Sequence, residues 1–348
     1  MPSSMELPPP TESYFRMLMR AQFIKDVPPP DDLNLAGQTG IITGATGGIG
    51  LEAAHVLLEN GLARLVITTR NTDKGQEVVA ALKKSFPLAK MAVWPLDMQS
   101  YESIQAFVGQ CHYSLDTIDF VILNAGVMTT VHSAKEATGH EEMLQVNYVS
   151  TVLLALLLRP VLGEKPRDGS KPNRLTLVGS SIAHAAQFPE KDNPKTTSIL
   201  RALSDPTGWG MAVAMDRYMT SKLLLMCFLA KFKGLVDPNE LTVNLVCPGN
   251  VRSTGLGRGM PGWIQTLTRW QKALTGRSVR AAAWTEVDAA VAKGAESHGC
   301  FIVDWKISPF VQLLYTPEGQ RLTERLWKET LQGFQEAGID INLSAQRE

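Results

Sequence analysis

Short runs of β-branched and aliphatic residues recur along the chain, separated by longer stretches whose apolar residues return every three or four positions. The runs predict strands at Thr39–Thr43, Arg64–Thr69, Met91–Trp94, Phe120–Leu123, Arg174–Gly179, Thr242–Cys247 and Cys300–Val303. Between them, stretches such as Leu51–Asn60, Asp73–Ser85 and Arg217–Lys233 are long enough for crossover helices, and Ala281–Ala295 reads as the last sheet helix. This alternation predicts an α/β fold with a mostly parallel, seven-stranded, doubly wound sheet and helices on both faces.

Three regions break the rhythm. Residues 1–36 read as an N-terminal extension in which Pro8–Pro10 and Pro28–Pro30 bracket a helical segment. Its Tyr14, Met17, Leu18, Ala21 and Ile24 recur at helical spacing, with Arg16 and Arg20 on another side. That face is expected to dock on the protein's own body; peripheral membrane or partner contact through residues 11–27 is the alternative. Within the main domain, residues 37–340, two insertions are expected at 185–215 and 254–275. The second places Met260, Trp263, Ile264, Leu267 and Trp270 on one stripe, a candidate lid. Both follow strands expected to end where open α/β sheets bind ligands.

The first strand runs into Thr43-Gly44-Ala45-Thr46-Gly47-Gly48-Ile49-Gly50, and a helical stretch follows. Glycines allow a tight turn and close approach of a pyrophosphate, and free N–H groups at a helix start favour negative charge. The spacing of Thr43, Gly44, Gly48 and Gly50 resembles the signature of short-chain dehydrogenases/reductases, and the resemblance extends over about residues 37–340. It implies a Rossmann-type domain and a nicotinamide cofactor held by Gly44, Thr46, Gly48, Ile49 and Gly50. Asn124-Ala125-Gly126 is similar to the family motif that lines the cofactor site, and Asp97 to the aspartate that contacts the adenine. The second strand ends Thr69-Arg70, with no acid to repel a 2′-phosphate and an Arg able to pair with one, so NADP(H) is expected over NAD(H). Pro248-Gly249-Asn250-Val251-Arg252-Ser253-Thr254 is similar to a segment in which the Val251 backbone and Thr254 would bind the nicotinamide amide.

Tyr218 and Lys222 match the family's Tyr-x-x-x-Lys pair; four apart on a helix, they share a face. A phenol ordinarily titrates near 10, about three units above neutrality, and a neighbouring ammonium is expected to bring Tyr218 toward the working range as general acid and base. Ser181, with Ser180 as the fallback, would hydrogen-bond the substrate oxygen, and Asn147 would hold a water in a proton relay to Lys222. Lys222 would also contact the nicotinamide ribose, so that Tyr218 and Lys222 both count among the cofactor-binding residues. Ser181 and Tyr218 lie 37 residues apart, farther than in the shortest members, which places the 185–215 insertion at the mouth of the site.

Phrases such as Arg70-Asn71 with Lys74-Gly75 resemble the retinol-dehydrogenase-like and fungal metabolite-tailoring branches. The expected substrate is a bulky, largely apolar ketone or secondary alcohol. Lys plus Arg and Asp plus Glu both number 34, so no long-range field recruits nucleic acid. Cys111, Cys227, Cys247 and Cys300 lack metal-ligand or redox spacing, so no metal is expected and a reducing, cytoplasmic setting is. Met1 leads into acidic and proline-rich residues, which predicts no secretory signal, and uninterrupted apolar runs such as Val152–Leu158 are too short to span a membrane. A homo-oligomer is left open. The rival readings are an NADP(H)-binding scaffold or sensor without turnover, and a same-fold epimerase or cyclase.

Overall fold

The computed structural model describes residues 2–163, 172–193, 196–252 and 276–343. Strands β1 (Thr39–Thr43), β2 (Arg64–Thr69), β3 (Lys90–Pro95), β4 (Phe120–Leu123), β5 (Asn173–Val178), β6 (Leu241–Cys247), β7 (Cys300–Val303) and β8 (Lys306–Ser308) form one sheet. Their order is β3-β2-β1-β4-β5-β6-β7-β8. β1 to β7 pair in parallel, and β8 pairs antiparallel with β7. The sheet therefore has eight strands, not the expected seven. The hairpin into β8 turns on Asp304 (φ 51°) and Trp305 (φ 63°), both left-handed without a glycine, so the usual sequence signal for such a turn is missing.

Among the described residues the helices are α1 (Tyr14–Ala21), α2 (Gly48–Glu59), α3 (Thr72–Ser85), α4 (Tyr101–Ser114), α5 (Glu142–Leu144), α6 (Ser150–Gly163), α7 (Ile199–Leu203), α8 (Met211–Phe232), α9 (Val279–Val287) and α10 (Pro317–Glu336). Several starts are set by side chains that accept a first-turn N–H: Asn71 for α3, Ser100 for α4, Ser278 for α9 and Thr316 for α10. One face of the sheet is covered by α2, α3 and α9, whose Ala53, Leu57, Val79, Leu82 and Val287 pack with Ile42 and Ile67. The other is covered by α4, α6, α8 and α10, through residues such as Phe107, Leu153, Leu224, Phe228 and Phe334. With both faces covered, every residue of β1, β5 and β6 is buried, including the Thr, Asn and Arg that interrupt their apolar positions.

A stretch long and apolar enough to cross a membrane does exist, Glu142–Gly163, although the uninterrupted apolar run within it is short. Its most apolar window is 83% buried inside the fold, as in a core helix. The expected helix at Ala281–Ala295 is shorter: α9 gives way to a π-helical turn at Asp288–Ala292. In the other direction, α8 starts six residues before Arg217, taking the end of the expected insertion into the helix.

The rest of that insertion is pinned at both ends. Asp216 accepts the N–H groups of Gln187 (2.7 Å) and Phe188 (3.3 Å), and Arg217 pairs with Glu190 at 2.6 Å. Farther along, Glu329 of α10 accepts the N–H groups of Ile199 (3.0 Å) and Leu200 (2.8 Å). Two of these clamps sit immediately before Tyr218, so the inserted chain is held beside the residue expected to do the chemistry.

Candidate active site

The site lies where β1 and β4 end side by side and their connections depart in opposite directions, the crevice such sheets use for ligands. After β1, Gly44 (φ 68°) and Gly48 (φ 59°) take the left-handed conformations that let the chain turn into α2. A Cβ on Gly50 would stand 2.4 Å from Asn124 Nδ2 and 2.9 Å from the Gly44 carbonyl oxygen, so only glycine fits. Gly47 and Gly48 have nothing within 4 Å of a Cβ position, and Gly47 offers α2 no side-chain cap. An open cradle at an uncapped helix start suits a pyrophosphate.

Asn124 does structural work here: its Nδ2 donates to the carbonyls of Thr43 (2.8 Å) and Gly44 (3.3 Å), while the Ala125 N–H donates to Thr43 Oγ1 at 2.9 Å. These bonds tie the end of β4 to the glycine turn. At the end of β2, Thr69 Oγ1 bonds the backbone of Asn71, and Thr69, Arg70 and, from the first turn of α3, Lys74 line the cavity. Asp97 also lines it, with Oδ1 accepting the Gln99 N–H (3.0 Å) and Oδ2 pairing with Lys135 (3.3 Å).

Deeper in, Lys222 Nζ donates to the Val178 carbonyl at 2.9 Å. Asn147 stands in a π-helical turn, Gln145–Val149, rather than a plain α-helix. Its Oδ1 accepts the Val127 N–H (2.8 Å), and its Nδ2 donates to the Val127 carbonyl (2.9 Å) and to Ser221 Oγ (3.1 Å). A Cβ on Gly126 would lie 3.3 Å from Asn147 Oδ1 and 3.7 Å from Lys222 Nζ, so the two side chains converge on one spot. The two serines both line the cavity but differ in their contacts. Ser180 Oγ accepts the Ile182 N–H and caps the turn Ser181–Ala185 (3.2 Å), whereas Ser181 Oγ has Cys247 Sγ as its neighbour at 3.5 Å.

These elements border one cavity of about 1730 Å³. It is lined by every expected cofactor residue except Thr254, and by Ser181, Tyr218 and Lys222. Asn147 stands behind the wall. Thr254 and the candidate lid stripe from Met260 to Trp270 lie outside the described residues.

Burial governs the electrostatics. The Tyr218 phenol is pushed above its ordinary value by loss of solvation, with smaller contributions from Cys247 and Tyr14, and so is held protonated. The expected lowering by Lys222 is not among the causes that set the phenol; burial brings Lys222 itself down to about 8, opposed in part by Glu286 and Cys247. Glu286 is fully buried, and burial pushes its carboxyl up to about 8.

Residues 38–170 match the family described as short chain dehydrogenase. The short chain dehydrogenase/reductase mfmJ of Annulohypoxylon moriforme is 42% identical over 341 residues, which cover 97% of each chain. The short chain dehydrogenase virL of Hypocrea virens is 39% identical and covers 89% of each. This chain belongs to the short-chain dehydrogenases/reductases. The fold agrees with that of a solved short chain dehydrogenase from Salmonella enterica serovar Typhi (TM-score 0.55, 19% identity, 80% of this chain and 100% of that one). The same holds for the Pseudomonas aeruginosa RhlG/NADP complex (TM-score 0.55, 19% identity, 78% and 96%). The relatives by sequence are fungal, in keeping with the fungal branch of the resemblance.

Four residues at or beside the site escaped the sequence reading. Lys74 stands in the first turn of α3, four residues past Arg70, where its spacing alone could have marked a second cation. Cys247 ends a strand and carries no local signal. Glu286 looks like a surface residue on an alanine-rich helix. Tyr14 belonged to a face expected to dock, but nothing in the pattern said where.

Proposed function

We propose that this short-chain dehydrogenase/reductase uses NADP(H) to interconvert a carbonyl and a secondary alcohol on a bulky, largely apolar small molecule. The observation that carries the reading is the shared cavity. Tyr218, Lys222 and Ser181 border the same space as the glycine turn and Arg70. Its volume of about 1730 Å³ exceeds the roughly 300–1,000 Å³ of a pocket for one drug-sized ligand, which suits a dinucleotide with a second molecule beside it.

The glycine turn and the start of α2 would hold the pyrophosphate, Arg70 and Lys74 the 2′-phosphate, and Val251 the nicotinamide end. The cofactor, when bound, supplies or accepts the hydride. Ser181 Oγ hydrogen-bonds the substrate oxygen. Tyr218, held protonated by burial, donates its proton to that oxygen during reduction and takes it back during oxidation. Lys222, on the same face of α8, stabilises the phenolate that Tyr218 leaves behind. Asn147 fixes the Val127 backbone and Ser221, and so the wall against which Lys222 rests. Met128, Ile182, Met215 and Met219 line the cavity with apolar surface, which favours a substrate of that character.

The test is isotopic. With NADPH carrying deuterium at one C4 position and 4-phenylcyclohexanone as probe, one of the two labelled isomers should place deuterium on the carbinol carbon, one per NADPH consumed. Alcohol formed without that label from either isomer would overturn the reading.

A further inference from the structure

The N-terminal extension is fastened at both ends and stretched across the mouth of the cavity. Ser4 is fully buried; its Oγ accepts the Phe301 N–H at 2.7 Å, and its carbonyl accepts the Tyr315 hydroxyl. At the other end the buried Leu35 donates its N–H to the Asn60 carbonyl at 2.9 Å. Between these anchors α1 is capped by Ser13 and braced by an Arg20–Glu12 pair at 2.7 Å. The helix packs against Ser181–Ala185, the turn that carries the substrate serine. Tyr14, Met17, Leu18 and Ala21 line the cavity, while Phe15 and Phe23 point to solvent, 68% and 82% exposed.

The inner face carries four of the five residues that the helical spacing singled out; Ile24 packs against the core beside α2 instead, and Arg20, expected on another side, also lines the cavity. Tyr14 brings a second phenol to the cavity that Tyr218 also lines. Burial pushes Tyr14 up to about 12, so it stays a neutral hydroxyl, able to donate or accept one hydrogen bond. Ser181 and Tyr218 already serve the reacting oxygen, which leaves Tyr14 for a different one.

We propose that α1 forms a wall of the substrate site, and that Tyr14 selects substrates carrying a second oxygen function on an apolar ring remote from the reacting carbonyl. This rests on the carbonyl–alcohol reading above, and its test separates the two. The probes are 4-phenylcyclohexanone and 4-(4-hydroxyphenyl)cyclohexanone, which differ only in a remote hydroxyl. In the full-length protein with NADPH, KM for the hydroxylated ketone should be the lower of the two. Tyr14→Phe keeps the ring and removes the hydroxyl. It should shrink that preference about three- to tenfold, the worth of one neutral hydrogen bond, mainly through KM. Hydrogen exchange of the amides of 14–21, measured with NADP+ present, should slow when the hydroxylated ketone is added.

Protection of α1 without turnover of either ketone leaves the wall standing and overturns the hydride-transfer reading. Turnover with an unchanged preference in Tyr14→Phe and unaltered exchange in α1 overturns the wall and leaves the chemistry standing. Turnover with protection but an unchanged preference overturns the role of Tyr14. Absence of both turnover and protection overturns both.

Discussion

Replacing Glu286 by Gln should flatten the pH dependence of stability. The parent side chain is fully buried, and neither carboxyl oxygen has a hydrogen-bond partner among the described residues. Burial therefore holds its proton up to about pH 8, against an ordinary value of 4.5. The folded protein keeps that proton in the interval where the unfolded chain has lost it, so stability is fully present below the unfolded pKa and declines as pH rises through the folded one. At about 1.36 kcal/mol per pH unit, the decline due to this group reaches at most roughly 5 kcal/mol. Lys222 keeps its ammonium in both states until about pH 8, so below that point the difference in slope between parent and Glu286→Gln belongs to Glu286. Gln has the same shape and no proton to lose. Urea unfolding of parent and Glu286→Gln at pH 5, 6, 7 and 8 should give nearly equal stability at pH 5 and a variant more stable by one to several kcal/mol at pH 8 (roughly, from the same arithmetic). Parallel curves would refute the assignment of Glu286 as a buried neutral acid.

Arg70→Ala should weaken NADPH about tenfold and NADH less than twofold in equilibrium titrations, since an exposed cation meeting a phosphate adds on the order of 1–2 kcal/mol; equal loss for both cofactors would show that Arg70 does not read the 2′-phosphate. NADPH affinity should fall as pH rises through about 8, where Lys222 loses its proton, and Lys222→Met should bind more weakly with no such step; a step retained in the variant would place the titrating group elsewhere. Ser181→Ala should lower kcat/KM by about 10²-fold or more, as loss of a transition-state hydrogen-bond donor does, whereas Ser180→Ala, which removes the cap of the Ser181–Ala185 turn, should chiefly cost about 1 kcal/mol of stability. The reverse order would move the substrate contact to Ser180.

What was legible in the sequence is what local chain geometry dictates. A glycine turn between strand and helix, a Tyr and Lys one helical turn apart, and an Arg after β2 are contiguous patterns, and the structure brings them to one cavity. What was hidden depends on contacts between distant elements. Glu286 belongs to α9, and only folding brings its carboxyl within electrostatic reach of Lys222 of α8. Cys247 faces Ser181 because β5 and β6 are neighbours with their ends level. Tyr218 illustrates a limit of motif reading. The pair predicts a lowered phenol, yet closing the cavity wall desolvates both partners, and burial outweighs their attraction. The extension shows the converse: its apolar face was visible in the spacing, but its destination depends on Ser4 and Leu35, which fasten it across the cavity mouth.

Tyr218→Phe tests the central claim most directly, because it deletes the proton-donating hydroxyl and keeps the ring that fills the wall. The measurement is single-turnover reduction of 4-phenylcyclohexanone by NADPH deuterated at the transferred position, so that hydride transfer limits the rate. NADPH affinity should stay within twofold of the parent while the rate falls by at least about 10²–10⁴-fold, the usual worth of a positioned general acid. A variant that transfers deuteride at the parent rate, with cofactor bound as in the parent, would contradict the account.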